Sequence, residues 1–137
     1  MKNKLLIVFL LATLALSACG GQNQPSTEIQ VDMTDFAFTP NQYMVPVGQE
    51  ITLHVQHDGT VEHDFIIMKY DTTVGEHFDK EDQPNIYWQL KVQPGQTETV
   101  TFTAPSQPGT YQIVCGMAGH VEAGMVGKLE VVAQQSN

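Results

Sequence analysis

The chain has 137 residues, which suits one ordinary domain, and its net charge of −9 sets fifteen acidic residues against six lysines and no arginine. That balance excludes a nucleic-acid partner, because a phosphate backbone demands a basic face.

Lys2 and Lys4 form a basic start, and Leu5 to Ala18 follow as an apolar run without a charge. The run is too short for a stable membrane span and has the pattern of a secretory signal. It ends in Leu16-Ser17-Ala18-Cys19, which resembles the lipobox of bacterial lipoproteins, in which the cysteine is acylated and becomes the new N-terminus. Residues 1–18 are thus expected to be a signal peptide. Residues 19–27, with "GGQNQPST", read as a lipidated N-terminus and polar tether, and 28–134 as the folded domain. The expected location is the extracytoplasmic face of a bacterial membrane. Lipid on Cys19 leaves Cys115 as the only free thiol, so no internal disulfide can form. An unpaired cysteine in an oxidising compartment points to a metal ligand or a reactive group. Removing Lys2 and Lys4 leaves four lysines against fifteen acids, a net charge of −11, which assigns membrane attachment to the lipid rather than to the body.

From Glu28 onward short alternating runs replace the leader. Ile29, Val31 and Met33 alternate with polar residues, Phe36 and Phe38 precede Pro40, and Ile51, Leu53 and Val55 alternate again. Phe65 to Met68, Thr97 to Thr103, Tyr111 to Cys115 and Val126 to Val132 continue the series, with turns at "VGQE", "HDGT", "QPGQ" and "SQPGT". The spacing predicts an all-β, antiparallel sandwich of about seven to eight strands. Asp71 to Leu90 breaks the pattern; it is acidic and irregular, and reads as a crossover insertion with a short helical turn.

The chemistry concentrates in "CGMAGHVEAGM", where Cys115, His120 and Met125 stand at C-x4-H-x4-M spacing. Cys115 shares strand parity with Tyr111 and Ile113, so it points inward at one pole. Small residues after it let the loop fold back over that pole. A thiolate, an imidazole and a weak axial thioether are three positions of a blue-copper site, which needs one more histidine. "HDGTVEHDF" offers His57 and His63.

"PGTYQIVCGMAGHVEAGMVGKLEV" resembles the copper loop of plastocyanins, and "FAFTPNQYMVPVGQEITLHVQHDGTVEHDF" the N-terminal half of the cupredoxin family. The resemblance runs from about Glu28 to Ala133; the two-residue longer gap between Cys115 and His120 is closer to auracyanins and rusticyanin than to plastocyanin, and the whole resembles a membrane-anchored auracyanin-like lipoprotein. It implies a cupredoxin-like Greek-key sandwich over 28–134, with His63, Cys115 and His120 as equatorial ligands and Met125 as the axial one. It further implies one type 1 copper per chain, which carries single electrons between membrane-associated respiratory or photosynthetic partners. Where the family commonly has Asn or Ser after the first histidine, this chain has Asp64, whose negative charge should favour the oxidised metal.

Several other residues are weighed against simpler roles. Met117 leaves the strand too early to be the axial ligand and reads as packing beside the site; Met33, Met44 and Met68 read as core or edge methionines. His57 resembles the turn histidine of azurins, with a plain turn residue as the equal alternative, whereas His54 and His77 read as solvated. Glu76, Asp79, Glu81 and Asp82 form a negative run that reads first as a solvated loop, with docking of a basic c-type cytochrome or an oxidase as the sharper alternative. The electron port is expected in the ring of Gly116, Met117, Ala118, Gly119, Val121, Ala123 and Val126 around His120. A copper carrier that delivers metal to an oxidase is the rival function; a dinuclear copper centre would need a cysteine where Tyr111 stands. Nothing resembles a catalytic apparatus, so a non-enzymatic, monomeric protein is expected.

Overall fold

Alternation of apolar and polar side chains produces nine strands: β1 (Glu28–Thr34), β2 (Ala37–Thr39), β3 (Gln42–Pro46), β4 (Glu50–His57), β5 (His63–Met68), β6 (Ile86–Val92), β7 (Thr97–Thr103), β8 (Gly109–Val114) and β9 (Val126–Val132). They come from a computed structural model that describes residues 24–133. The leader 1–18, Cys19 and the tether to residue 23 lie outside the described residues. At the start of the described chain, the Ser26 N–H already donates to the Met44 carbonyl at 2.9 Å.

Two sheets face one another, one ordered β2-β1-β4-β7 and the other β3-β9-β8-β5-β6. The all-β sandwich is present, with two corrections. First, it is not purely antiparallel: β1 runs parallel to β4, and β3 parallel to β9. The chain leaves the first sheet after β2 and crosses to the edge of the second, so β3 lies beside the last strand in the same direction. Second, there are nine strands, because β3 and β6 add to the expected set. β3 is a short edge strand closed by Pro46, tolerated there because an edge has N–H positions without a ladder partner. β6 begins inside the expected insertion and runs past its end, with Ile86, Trp88, Leu90 and Val92 alternating with polar or exposed residues. The short helical turn expected in the insertion is a 3-10 turn at Gln83–Asn85.

Val31, Met33, Leu53 and Val55 of the first sheet meet Phe65, Ile67, Ile113 and Leu129 of the second. Phe65 is fully buried, with ring edges against Phe38 at 5.3 Å and Tyr43 at 5.9 Å. β5 is apolar on its outer face as well. Ile66 and Met68 join Val114 and Val74 in a second cluster, against which Phe78, Val121 and Val126 pack. The crossover 69–85 thus covers the back of the sheet. Gln112 of β8 clamps it there, accepting the Val74 N–H at 2.6 Å and donating to the Val74 carbonyl at 3.4 Å.

Strand direction decides which ends share a pole. The pairing of Met33 with His57 brings the end of β1 to the end of β4, and the pairing of Val114 with Val126 brings the end of β8 to the start of β9. The start of β5, at His63, completes that pole.

Candidate metal centre

Cys115 follows the last residue of β8 and is fully buried, as the parity of Tyr111 and Ile113 requires. The loop after it closes on itself through its backbone: His120 N–H donates to Met117, Met125 N–H to His120, and Cys115 N–H to Met125, at 3.1, 2.9 and 3.2 Å. Gly119 and Gly124 take positive φ values of 85° and 94°, which residues with a Cβ resist, and so permit the two reversals. Met125 is buried in the same core cluster as Cys115. His63, from the opposite loop, is fully buried too, and His120 is only 7% exposed.

Three donor atoms meet at this pole. His63 Nδ1 and His120 Nδ1 are 3.1 Å apart, and Cys115 Sγ is 3.9 and 3.2 Å from them. The point equidistant from a triangle with these sides lies about 2.0 Å from each corner, the length of a first-row metal bond to imidazole. The set fits a metal ion with a shift of a few tenths of an ångström, since a metal–thiolate bond is about 2.3 Å. Two imidazoles and a thiolate in one plane, with a buried thioether in the next turn, form the donor set of a type 1 copper centre.

Each donor is tuned by its surroundings. Desolvation lowers the pKa of His63, against the hydrogen bond to Asp35, and neighbouring His57 and His120 add to the lowering, so the neutral imidazole is favoured. Burial pushes the Cys115 thiol up, while N–H groups of Asp64 and Met117 pull it down; the Asp64 N–H lies 3.3 Å from Sγ. Asp64 itself is raised by burial, opposed by Lys91, raised further by Glu62 and lowered by His120. Its carboxylate has Lys91 Nζ at 4.0 Å, so it reaches the cysteine through its backbone rather than through a side-chain bridge.

His57 is no bystander. It is fully buried and stacks on His63 with ring centres 4.7 Å apart and planes at 15°. Its Nδ1 accepts the Gly59 N–H at 3.0 Å and its Nε2 donates to the Val61 carbonyl at 2.9 Å. His54 and His77 remain outside, on Thr99 at 3.2 Å and near Asp79 at 3.6 Å. Met117 is half-buried against the core beside the site. Of the expected ring around His120, Ala118, Gly119 and Ala123 are exposed, whereas Val121 and Val126 pack into the outer cluster.

Sequence reasoning missed Asp35 and Phe36, the turn between β1 and β2. Asp35 Oδ1 lies 2.9 Å from His63 Nε2. Phe36, 43% exposed, sets its ring edge-on to His120 at 4.7 Å. Hydrogen bonds from Thr60, whose hydroxyl and backbone N–H reach Oδ2 at 2.6 and 2.9 Å, hold the Asp35 pKa down to about 2. An acid one residue beyond a strand was the only available signal, and it is a weak one.

Comparison with known proteins agrees with this fold. An auracyanin of Roseiflexus castenholzii, solved in its dithionite-reduced state, shares 30% identity; the match covers 80% of this chain and 99% of that one with a TM-score of 0.66. Auracyanin A of Chloroflexus aurantiacus, described as a "blue" copper protein, shares 26% identity over 77% of this chain and 99% of its own, with a TM-score of 0.59. Reduced rusticyanin, at 21% identity and a TM-score of 0.57 over 80% of this chain and 82% of its own, shares the fold. No curated protein matches the chain by sequence. The family model of the cupredoxin-like domain matches residues 6–129, nearly the whole chain, so the protein belongs to the cupredoxin family.

Proposed function

We propose that this protein is a membrane-anchored blue copper carrier that passes single electrons between respiratory or photosynthetic partners, with His63, Cys115 and His120 as equatorial ligands and Met125 as the axial one. The observation that carries the reading is the triangle of Nδ1, Nδ1 and Sγ, already spaced for one metal ion. Copper bound there supplies a Cu(I)/Cu(II) couple for one-electron transfer. The chain contributes the rest. His63 and His120 present ring nitrogens, Cys115 gives a sulfur donor shielded from water, and the hydrogen-bonded loop keeps His120 and Cys115 in place, so a change of charge demands little movement. His120, nearest the surface, is the natural exit, with Phe36, Ala118 and Ala123 beside it. The closed, buried donor set favours retention of the metal over its delivery.

The blue copper character reported for auracyanin A supports the reading. Partners such as a c-type cytochrome or an oxidase fit the acidic surface, and acylated Cys19 would provide the anchor. The test is the visible spectrum of copper-loaded, oxidised protein. An intense thiolate-to-copper charge-transfer band is expected, lost in Cys115→Ser; its absence in the parent, or its survival in the variant, would sink the proposal. For the anchor, full-length protein should enter the detergent phase and Cys19→Ala should not.

A further inference from the structure

Among the described residues, Asp35 is a carboxylate that touches a donor histidine on its far side. It is anchored rather than free. The Thr60 backbone N–H donates to both of its oxygens, at 3.1 and 2.9 Å, and the Thr60 hydroxyl donates to Oδ2 at 2.6 Å. That leaves Oδ1 directed at His63 Nε2, 2.9 Å away. Space for the carboxylate exists because position 59 is glycine: a Cβ there would lie 2.3 Å from Asp35 Oδ1 and 3.0 Å from the His57 ring. Gly59 has no positive φ, so backbone freedom does not explain the residue, and room for Asp35 does.

We propose that Asp35 is the positioning residue of the first ligand: its carboxylate, held by Thr60 in the space left by Gly59, accepts a hydrogen bond from Nε2–H of His63 and so leaves Nδ1 unprotonated toward Cys115 and His120. A neutral imidazole has one N–H, and an ionised carboxylate can only accept. Pairing the two therefore selects one tautomer, the one whose lone pair faces the donor triangle. The stacked His57 ring fixes the tilt of His63, and Asp35 fixes which nitrogen is bare. A carboxylate behind a ligating imidazole also makes that ligand a stronger donor, which favours the more highly charged metal. This inference deepens the copper reading and rests on it for its metal-dependent half.

The experiment has a metal-free arm and a copper arm. Long-range proton–nitrogen correlation spectra of labelled, metal-free protein should show His63 wholly as the Nε2–H tautomer. Asp35→Ala should mix the tautomers and weaken Cu(II) binding, read by competition titration, about 10–100-fold. Asp35→Asn keeps an acceptor oxygen without the charge, so it should retain the tautomer, lose less Cu(II) affinity than Asp35→Ala, and raise the midpoint potential. Gly59→Ala should reproduce Asp35→Ala with the aspartate still present, because the new methyl group displaces the carboxylate. A single Nε2–H tautomer with unchanged copper affinity in Asp35→Ala and Gly59→Ala would overturn the proposal. Failure of every form to bind copper would instead strike the metal reading, and the tautomer result would still decide the role of Asp35.

Discussion

The two sides of the metal pole are built in opposite ways. Cys115, His120 and Met125 arrive on one loop of eleven residues whose own backbone hydrogen bonds set their spacing. His63 arrives alone, and what orients it comes from elsewhere: Asp35 from the β1–β2 turn, His57 from the end of β4 and Gly59 from the turn that follows. One side is specified locally. The other is specified by which strand ends the topology gathers, so the two sides should respond differently to substitution.

A change beneath both sides should show the largest effect and discriminate least. Phe65 lies two residues from His63, is fully buried, and meets Phe38 and Tyr43 across the core. Phe65→Ala should cost about 3–5 kcal/mol in urea unfolding, as expected for a large aromatic removed from a packed core. A loss below about 1 kcal/mol would mean that the sheets are not locked together there.

His57 separates the two sides more cleanly. Replacing it with leucine leaves the Gly59 N–H and the Val61 carbonyl without their partner and removes the ring stacked on His63. The expected cost is about 1–3 kcal/mol, together with a shifted copper spectrum. Met117→Ala in the local loop removes only half-buried packing. It should cost less and leave the spectrum nearly unchanged, and the reverse order would refute the asymmetry.

The same asymmetry explains what could be read from the sequence. Cys115, His120 and Met125 were legible as a cluster because their spacing lies within one loop, and the inward parity of Cys115 followed from Tyr111 and Ile113. The alternation in β1, β4, β7, β8 and β9 was equally plain. β6 was hidden because its alternation starts inside an acidic, irregular stretch, and β3 because it is short and ends in proline. Asp35 was hidden for a topological reason. In a purely antiparallel sandwich, a β1 beside β4 would place the turn after Thr34 at the pole away from His57; the parallel register, Met33 opposite His57, brings it to the metal side. No residue-by-residue pattern carries that information, because direction is settled by how the chain crosses between sheets.

Cys115 offers a pH test of the local side. Burial raises its thiol above the ordinary value of 9.0, so the unfolded chain ionises first as the pH rises. The metal-free protein should hold this stability below pH 9.0 and lose it progressively as the pH climbs toward the raised folded value. Cys115→Ala should show a shallower alkaline decline in urea midpoints. Identical slopes would mean that the thiol is not desolvated.

The smallest expected change is at Asp64, which belongs to both sides, since it follows His63 in sequence and its N–H reaches Cys115 Sγ. Burial raises its carboxyl above the ordinary 3.8, so the folded state prefers it neutral, and its contribution to stability is present below pH 3.8 and lost as the pH rises through the folded value. At neutral pH the charge is therefore held at a cost, with Lys91 4.0 Å away as partial compensation. Asp64→Asn should relieve that cost: the metal-free protein becomes slightly more stable at pH 7 but not at pH 3. Loss of a negative charge near the metal should also raise the midpoint potential, because the oxidised ion loses the stabilisation that the charge gave it. Because Asp64 does not touch His63 Nε2, the His63 tautomer should be untouched, unlike in Asp35→Ala. A potential that stays level or falls in redox titration would show that Lys91 already neutralises the carboxylate, and would leave Asp35 as the acid that sets the oxidised state.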